Sequence, residues 1–366
     1  MARDAAKRTV TSDGPYFDEG KRMKIAYLLA TSEGSWGGME RHVFDLAGRM
    51  AAAGHAVHVI AQAAYQVHCP TNVGFVPFNW ARHRWSPKLW VDLRRLLTSI
   101  KPQIAHTHGG KAAEVLSRAG WPADVKVVGS VHGTKSQHRA YRRFHAVVAV
   151  SRQLAEGIHH PNVRVIHNGI NSHDADAEGV KRVLEWLQGK PSPLVLAVGR
   201  LAHVKGFDIL LEAWPEQIEA TLALLGEGPE RDRLESIVQR RGLRNVHFLG
   251  HRVDVREWMD CADLMVMSSR REGFPYVLIE ALQAGLPVVS TSVSGVNEIL
   301  TPAWLVPTDS AADMNAMLSR VLKKNKSEMV ALQHESIVYA RSALTLGGMA
   351  EAMENLYADL LRARGD

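Results

Sequence analysis

Short apolar runs alternate with amphipathic helical patterns along most of this chain, and few folds accommodate that alternation. Nearly continuous apolar strands are typical of parallel sheets that helices cover on both faces. In the first half, strands are predicted at 24–30, 55–61, 74–78, 103–108, 126–132 and 146–151. In the second half, they are predicted at 194–199, 222–226, 246–250, 263–268, 286–291 and 303–307. The pattern therefore predicts an α/β protein with two doubly wound, Rossmann-like parallel sheets.

The two series of strands are separated by a polar segment rich in turn-forming residues at 167–179. The chain has 366 residues, more than one hydrophobic core normally serves, so two domains are expected. We predict an N-terminal domain at 24–170, a C-terminal domain at 171–345, and a final helix at 346–366 that crosses back to the first domain. Residues 1–23 lack the apolar core of a signal peptide and are expected to be a poorly ordered extension.

Amino-acid composition indicates the cellular compartment in which the protein is expected to work. Its two cysteines, Cys69 and Cys261, are too few for a disulfide framework or a four-thiolate metal site, which suits a reducing cytoplasm. No apolar run approaches the length of about 20 residues that spans a bilayer. We expect a cytoplasmic protein that associates at most with the inner face of the cytoplasmic membrane.

A pair of glutamates in the second half suggests a sugar-nucleotide site. A loop with Glu272 follows a predicted strand, and a helix that carries Glu280 begins directly after it. Backbone N–H groups at such a helix start suit a diphosphate. A loop carboxylate can accept hydrogen bonds from sugar hydroxyls while a helical one accepts those of a ribose. Taken alone, Glu272 is better explained as a helix cap and Glu280 as a member of a surface ion pair.

Two cations, Arg200 and Lys205, flank a strand-to-helix turn in the segment 197–213. Both side chains could bind one diphosphate. The planar guanidinium of Arg200 can donate two parallel hydrogen bonds, and the ammonium group of Lys205 provides a compact positive charge. Two exposed surface cations are the alternative. The Gly-rich turn with Gly226 and Gly228 carries little information by itself.

Several segments in a fixed order resemble the retaining GT-B glycosyltransferases of family four. In the second half these are GRLAHVKGFD, LLGEGPERDRL, FLGHRVDV and EGFPYVLIEALQAGLPVV. In the first half they are WGGMERHVFDLAGRMAAAGHAVHVIA, QIAHTHG, SVHGTK, VVAVS and VIHNGI. The resemblance covers about residues 24–345. It implies two facing Rossmann-like domains and transfer of a hexosyl unit from a nucleotide sugar, most simply a UDP-sugar, to a saccharide or glycolipid such as lipopolysaccharide core.

The resemblance also implies roles for individual residues. Glu272 would contact the transferred sugar and His132 would lie near the reacting carbon, so these two form the predicted catalytic pair. Glu280 would bind the ribose. The remaining predicted donor contacts are Gly37, Gly38, Arg200, Lys205, Arg252, Gly273, Phe274 and Pro275. His108 and Lys135 are assigned to the acceptor side of the cleft.

No cofactor or metal is expected beyond the nucleotide-sugar substrate. The resemblance implies that the leaving phosphate itself helps to deprotonate the acceptor, so no general base is assigned. A D-x-D pair at 174–176 is interpreted as a solvated turn. The candidate zinc ligands match no recognised spacing and comprise His106, His108, His159 and His160. Of these, His106 is expected to face the packing of the sheet.

Charge is divided unevenly between the two halves. Residues 1–165 carry 23 Lys and Arg against 11 Asp and Glu, whereas the remainder carries 21 against 27. The segment 79–100 interleaves Trp80, Trp85 and Trp90 with cations, as interfacial helices do. These features favour an anionic glycolipid acceptor and peripheral contact with an anionic membrane. A core helix with a solvated basic face explains the same segment equally well.

Three other functions remain open from sequence alone. A nucleotide-sugar epimerase can share the fold, and a non-catalytic sensor could bind the donor without turnover. The basic first half would also suit a nucleic-acid-binding protein, although no recognition motif is present and no nucleic-acid partner is expected.

Overall fold

A computed structural model describes residues 22–31, 36–133, 138–171, 174–215 and 218–363. The strands of the first half are Lys24–Leu29 (β1), Ala56–Ala61 (β2), Gly74–Pro77 (β3), Ile104–His108 (β4), Lys126–Val131 (β5), Ala146–Ala149 (β6) and Val163–Val165 (β7). They form one sheet in the order β3-β2-β1-β4-β5-β6-β7, with every neighbouring pair parallel. The central strands are buried on both faces, which explains their apolar sequences.

The helices of this half are Gly38–Ala52 (α1), Pro87–Ile100 (α2), Gly110–Ala119 (α3) and Arg152–Glu156 (α4). Helix α2 buries Leu89, Leu93 and Leu97, which recur every four residues and so lie on one face. Its first position is Pro87, where the missing N–H has no helical partner to lose. Ser151 caps α4 by accepting a hydrogen bond from the N–H of Leu154.

The second half contains a separate six-stranded sheet. Its strands are Leu194–Val198 (β8), Thr221–Leu225 (β9), Val246–Phe248 (β10), Leu264–Met267 (β11), Val288–Thr291 (β12) and Leu305–Val306 (β13). They lie in the order β10-β9-β8-β11-β12-β13 and all neighbouring pairs are parallel. In both sheets the strand order reverses direction beside the first strand of the series, which creates a crevice at the carboxyl ends of the strands.

The remaining helices are Ala177–Leu187 (α5), Phe207–Ala213 (α6), Arg231–Arg241 (α7), Val255–Cys261 (α8), Tyr276–Gln283 (α9), Ala311–Val321 (α10), Lys326–Leu332 (α11), His334–Ala343 (α12) and Leu346–Arg362 (α13). Helix α13 packs on α1 of the first half. It buries Met353 and Tyr357 against that half's apolar core. The Tyr357 hydroxyl lies 2.6 Å from Nδ1 of His106.

The chain passes between the two halves at two adjacent points. Ile170 forms a parallel β-bridge with Thr345, so the outward and return segments lie side by side. A Cβ on Gly169 would lie 2.1 Å from the carbonyl oxygen of Thr345. Only glycine therefore permits this close approach of the two segments.

The α/β fold class predicted from the sequence is confirmed. Every predicted strand overlaps an observed strand, and the structure adds β7, which the sequence analysis missed. Strand β7 has only three residues, includes the exposed Arg164, and pairs at the edge of its sheet. Within the described residues, no helix is both long and apolar enough to span a membrane.

Candidate active site

The loop between β11 and α9 lies directly against the first half of the chain. A Cβ on Gly273 would lie 2.0 Å from the carbonyl oxygen of His132, so glycine alone permits this contact. The Gly273 carbonyl in turn accepts a hydrogen bond from Ser294 Oγ at 3.2 Å. Ser294 Oγ also lies 2.8 Å from Ser151 Oγ in the first half. The loop is thus fixed between the two sheets.

Glu272 lies at this loop with two donors on one carboxylate oxygen. Lys205 Nζ and Ser269 Oγ each donate to Glu272 Oε1 at 2.7 Å. The second oxygen has no such partner among the described residues. A partly buried carboxylate with a free oxygen can accept hydrogen bonds from ligand hydroxyls.

Lys205 reaches Glu272 because its turn is pressed against the end of β11. Lys205 is the last residue of a short 3-10 turn, and Gly206 follows it with a φ of 63°. A Cβ on Gly206 would lie 2.0 Å from the carbonyl oxygen of Ser268. The close contact brings Lys205 and Glu272, which are far apart in sequence, to the same sheet edge.

Glu280 faces the first half from α9 and forms an ion pair with Arg41 of α1. Arg41 also lies 3.4 Å from Asp45 and stacks over the ring of Tyr276. A Cβ on Gly38 would lie 3.3 Å from that ring, so the glycine loop before α1 packs closely on the start of α9. Two of the predicted donor residues, Gly38 and Glu280, are therefore brought close to the same helix junction.

Phe274 and Pro275 shape the loop in different ways. The Phe274 side chain is buried and its ring stacks on His167 with centroids 4.6 Å apart. Its carbonyl accepts a hydrogen bond from Asn168 Nδ2 at 2.8 Å. Pro275 is the N-cap residue of α9. The Phe274 ring therefore anchors the loop at the boundary between the halves.

His132 belongs to a cluster of three imidazoles at the carboxyl edge of the first sheet. His108 Nδ1 lies 3.1 Å from His132 Nε2, and the ring of His42 lies edge-on to His132 at 4.7 Å. Burial lowers the pKa of His42 to about 4. Burial, together with repulsion from the neighbouring imidazoles, holds the pKa of His108 and of His132 well below its usual range. All three rings are therefore neutral at physiological pH.

Four other predicted site residues are not part of the contacts described above. The Arg200 side chain is exposed at the end of β8. Arg252 forms a two-point ion pair with Asp254, with Nε 2.8 Å from Oδ1, and lies over the ring of Trp258. Gly37 is the exposed N-cap residue of α1. Lys135 lies outside the described residues.

Three residues that were not predicted from the sequence line the boundary between the halves, namely Arg41, His42 and Asn168. Arg41 and His42 directly follow the glycine pair of the segment GGMERH. Because α1 begins at Gly38, both residues lie in its first turns and face the cleft with Glu280 and His132. Their position directly after Gly37 and Gly38, two predicted donor contacts, was the available signal.

The expectation for His106 is confirmed. The ring is buried, and its second nitrogen, Nε2, lies 2.8 Å from Ser130 Oγ. Asp176 caps α5 by accepting a hydrogen bond from the N–H of Gly179, which gives one member of the D-x-D pair a structural role.

The fold is of the GT-B type, with two parallel-sheet α/β halves that face one another across a cleft. Anabaena HepE, solved in complex with UDP and glucose, superimposes with a TM-score of 0.78 at 21% identity. The match covers 92% of this chain and 100% of that chain.

Family comparisons define the protein further. Residues 36–174 match Glycosyltransferase Family 4 and residues 192–324 match Glycosyl transferases group 1. The chain therefore belongs to the family four glycosyltransferases.

Two curated relatives act on lipid-linked acceptors according to their names. A phosphatidyl-myo-inositol mannosyltransferase of Propionibacterium freudenreichii subsp. shermanii is 27% identical over 345 residues, covering 84% of this chain and 87% of that protein. The lipopolysaccharide glucosyltransferase WaaG of Escherichia coli strain K12 is 35% identical over 136 residues, 36% of each chain. The chain is thus related to glycolipid and lipopolysaccharide glycosyltransferases.

Proposed function

We propose that this chain is a retaining, metal-independent glycosyltransferase that moves a hexosyl unit from a UDP-sugar to a saccharide or glycolipid acceptor. The observation that carries the proposal is the position of two carboxylates on one loop and helix. Glu272 is held at the end of β11 by Lys205, and Glu280 faces the first half from α9. Both carboxylates are partly buried, and each is held in place by a cation from another part of the chain.

The donor would lie along this edge of the second sheet. Glu272 would accept hydrogen bonds from hydroxyls of the transferred sugar, and Glu280 from the ribose. Arg252, oriented by Asp254, is assigned to the base. The solved complex of Anabaena HepE with UDP and glucose supports uridine and a hexose as the first donor to test.

The leaving diphosphate would be stabilised by fixed positive groups. Lys205 and Arg200 supply charge, and the N–H groups at the start of α9 supply dipoles. Gly37, Gly38 and Gly273 would let backbone approach the phosphates and sugar closely. Because these groups can neutralise the leaving group, the proposed reaction requires no divalent metal.

His132 would hydrogen-bond a hydroxyl beside the reacting carbon. Its pKa is held low by burial, so the neutral ring can share a hydrogen bond without placing another charge in the cleft. Retention of configuration would follow if the leaving phosphate accepts the proton of the acceptor hydroxyl on the same face of the sugar. No side chain is assigned as general base.

The acceptor is proposed to be an anionic glycolipid met at the inner face of the cytoplasmic membrane. The names of the two curated relatives support a lipid-linked acceptor. The basic first half adds an exposed Trp85, whose ring is covered by the guanidinium of Arg118 at 3.5 Å. Trp80, by contrast, is fully buried and donates to the carbonyl of Ile60, so it belongs to the core. Of the two residues predicted for the acceptor side, His108 is buried and would act on an acceptor only through His132, which it contacts, whereas Lys135 keeps its assignment.

Thermal unfolding of the purified protein with UDP, GDP, ADP and their sugar conjugates tests the donor assignment. A ligand that binds only the folded state raises the unfolding midpoint by mass action. We expect UDP and a UDP-hexose to raise the midpoint equally with and without EDTA. Failure of every nucleotide to raise the midpoint contradicts the proposal, and a shift that EDTA abolishes contradicts metal independence.

A further inference from the structure

Three histidines from separate elements converge at the boundary between the two halves. His42 comes from α1, His108 ends β4, and His132 follows β5. One ring nitrogen from each lies within 4.8 Å of the other two. His42 and His108 are fully buried, whereas His132 is partly open to the cleft.

Hydrogen bonds determine which nitrogen of His42 carries its proton. Asn168 Nδ2 donates to the carbonyl of Phe274, which directs Asn168 Oδ1 towards His42 Nδ1 at 3.1 Å. An amide oxygen only accepts, so Nδ1 must carry the hydrogen and Nε2 must present a lone pair. Within the described part of the chain, that buried Nε2 has no hydrogen-bond partner.

His108 also has a buried ring nitrogen without a hydrogen-bond partner among the described residues. Its Nδ1 is engaged with His132 Nε2 at 3.1 Å, while its own Nε2 has no partner among the described residues. Buried polar atoms usually have partners, because leaving one unpaired costs about 1–3 kcal/mol. The adjacent His106 provides the contrast, since Tyr357 and Ser130 engage both of its nitrogens.

We propose that His42, His108 and His132 form a binding site for a divalent cation of the Zn²⁺ type. Three imidazoles with an open fourth position are an established coordination set for zinc, and imidazole is a preferred ligand of such borderline cations. Zinc–nitrogen bonds of about 2.0–2.1 Å place tetrahedral ligands roughly 3.4 Å apart. The observed separations, 3.1 Å between His108 Nδ1 and His132 Nε2 and no more than 4.8 Å for the cluster, bracket that value.

The surroundings favour the metal-bound state in two further ways. Asn168 is an outer-shell partner for His42, holding the tautomer whose Nε2 can coordinate the ion. His132, the third ligand, is partly open to the cleft, which provides an entry path for the ion.

The ion would inhibit transfer, and this consequence rests on the proposed function. The backbone of His132 abuts Gly273, next to Glu272. An ion bound to His132 would therefore engage the imidazole that is needed for the hydroxyl beside the reacting carbon. Donor neutralisation is assigned to Lys205 and Arg200, so the ion has no required part in the reaction.

Metal titration of the EDTA-stripped full-length chain tests the site. Co²⁺ should produce visible d–d absorption bands that saturate near one equivalent, and Zn²⁺ should remove them. His42→Gln and His132→Gln should each weaken Zn²⁺ binding by more than about tenfold. His159→Gln is the matched control, because His159 is exposed and is not one of the three clustered histidines. Cooperative thermal unfolding of each variant shows that its fold is retained.

Unchanged Zn²⁺ affinity in both cluster variants, or no binding by the wild-type chain, overturns the proposed site. Inhibition of transfer should follow the Zn²⁺ occupancy of the wild type and be reversed by EDTA. Tight, cluster-dependent binding without inhibition would reject the inhibitory role and leave the site intact. Zinc binding by a chain that transfers no sugar would instead contradict the proposed function, so the two failures are distinguishable.

Discussion

Arg41 and Glu280, which are 239 residues apart in the chain, form an ion pair between α1 of the first half and α9 of the second. Arg41 also stacks over Tyr276, the first residue of α9. The residue proposed to bind the donor ribose is therefore already in contact with the opposite half of the molecule. Donor binding and the contact between the halves are expected to depend on the same carboxylate.

The substitution Glu280→Gln should weaken nucleotide binding by roughly tenfold, because a charged acceptor of ribose hydrogen bonds is replaced by a neutral one. Calorimetric titration with the nucleotide identified by the thermal screen measures the change. Asp45→Asn is the control, since Asp45 also pairs with Arg41 but is not assigned to the donor. We expect Asp45→Asn to keep the affinity within about twofold; equal losses in the two variants would contradict the ribose assignment.

The substitution Gly273→Ala should lower the melting temperature and strongly reduce transfer. Its Cβ would lie 2.0 Å from the carbonyl oxygen of His132, so the loop and the first half must separate. Differential scanning calorimetry and the transfer assay measure the two effects. In Gly347→Ala, the new Cβ at the start of α13 meets no atom within 4 Å, so stability should be unchanged or higher by up to about 1 kcal/mol. Wild-type behaviour of Gly273→Ala would contradict the contact.

Acidification should destabilise the protein through its buried histidines. His42 has a pKa of about 4 in the folded chain against an ordinary 6.5, so below pH 6.5 the unfolded chain binds the proton first. The free energy of unfolding therefore falls as pH drops from 6.5 towards 4, by on the order of 3 kcal/mol for this group alone.

Urea unfolding of the wild type and His42→Gln between pH 7 and about pH 4.5 isolates this contribution. The variant should lose less stability over that interval, because Gln does not titrate. Equal pH dependence in the two proteins would show that His42 is not the neutral buried group described above.

Binding to anionic vesicles should depend on the exposed basic face around α2. Replacing Lys88 and Arg95 together by Gln should reduce binding by roughly 30-fold at low salt, since each basic residue near such a surface contributes about 1 kcal/mol. Replacing Lys323 and Lys324, which are exposed in the second half, changes the net charge equally and is the matched control. Vesicle sedimentation with and without high salt measures the effect, and equal losses in both double variants would reject an oriented membrane contact.

The sequence was sufficient to predict both sheets, because short, nearly continuous apolar runs that alternate with helical patterns are explained by few other folds. It did not predict β7, whose three residues include an exposed arginine and pair only at the sheet edge. It also left open whether Trp80 faced a membrane or the core; the structure shows it to be fully buried. Hydrophobic periodicity identifies which face of a helix or strand is buried, but it says little about which apolar side chains pack against that face.

The candidate site was predictable where the residues belong to compact motifs. Glu272 and Glu280 share one loop and helix, so their relative position follows from chain geometry. The ion pair of Glu280 with Arg41 and the approach of Asn168 to His42 depend on how two separate sheets face one another. No local pattern specifies that orientation, which is why the three-histidine cluster was not predicted.

Transfer by the Glu272→Gln variant tests the central claim most directly. The assay uses the nucleotide sugar selected by the thermal screen, a lipid-linked saccharide acceptor and EDTA, with wild type and variant compared at equal concentration. The wild type should transfer the sugar, and the variant should lose at least about 100-fold in rate while it still binds the nucleotide. Wild-type transfer by a correctly folded Glu272→Gln protein would contradict the assignment of this cleft as the active site.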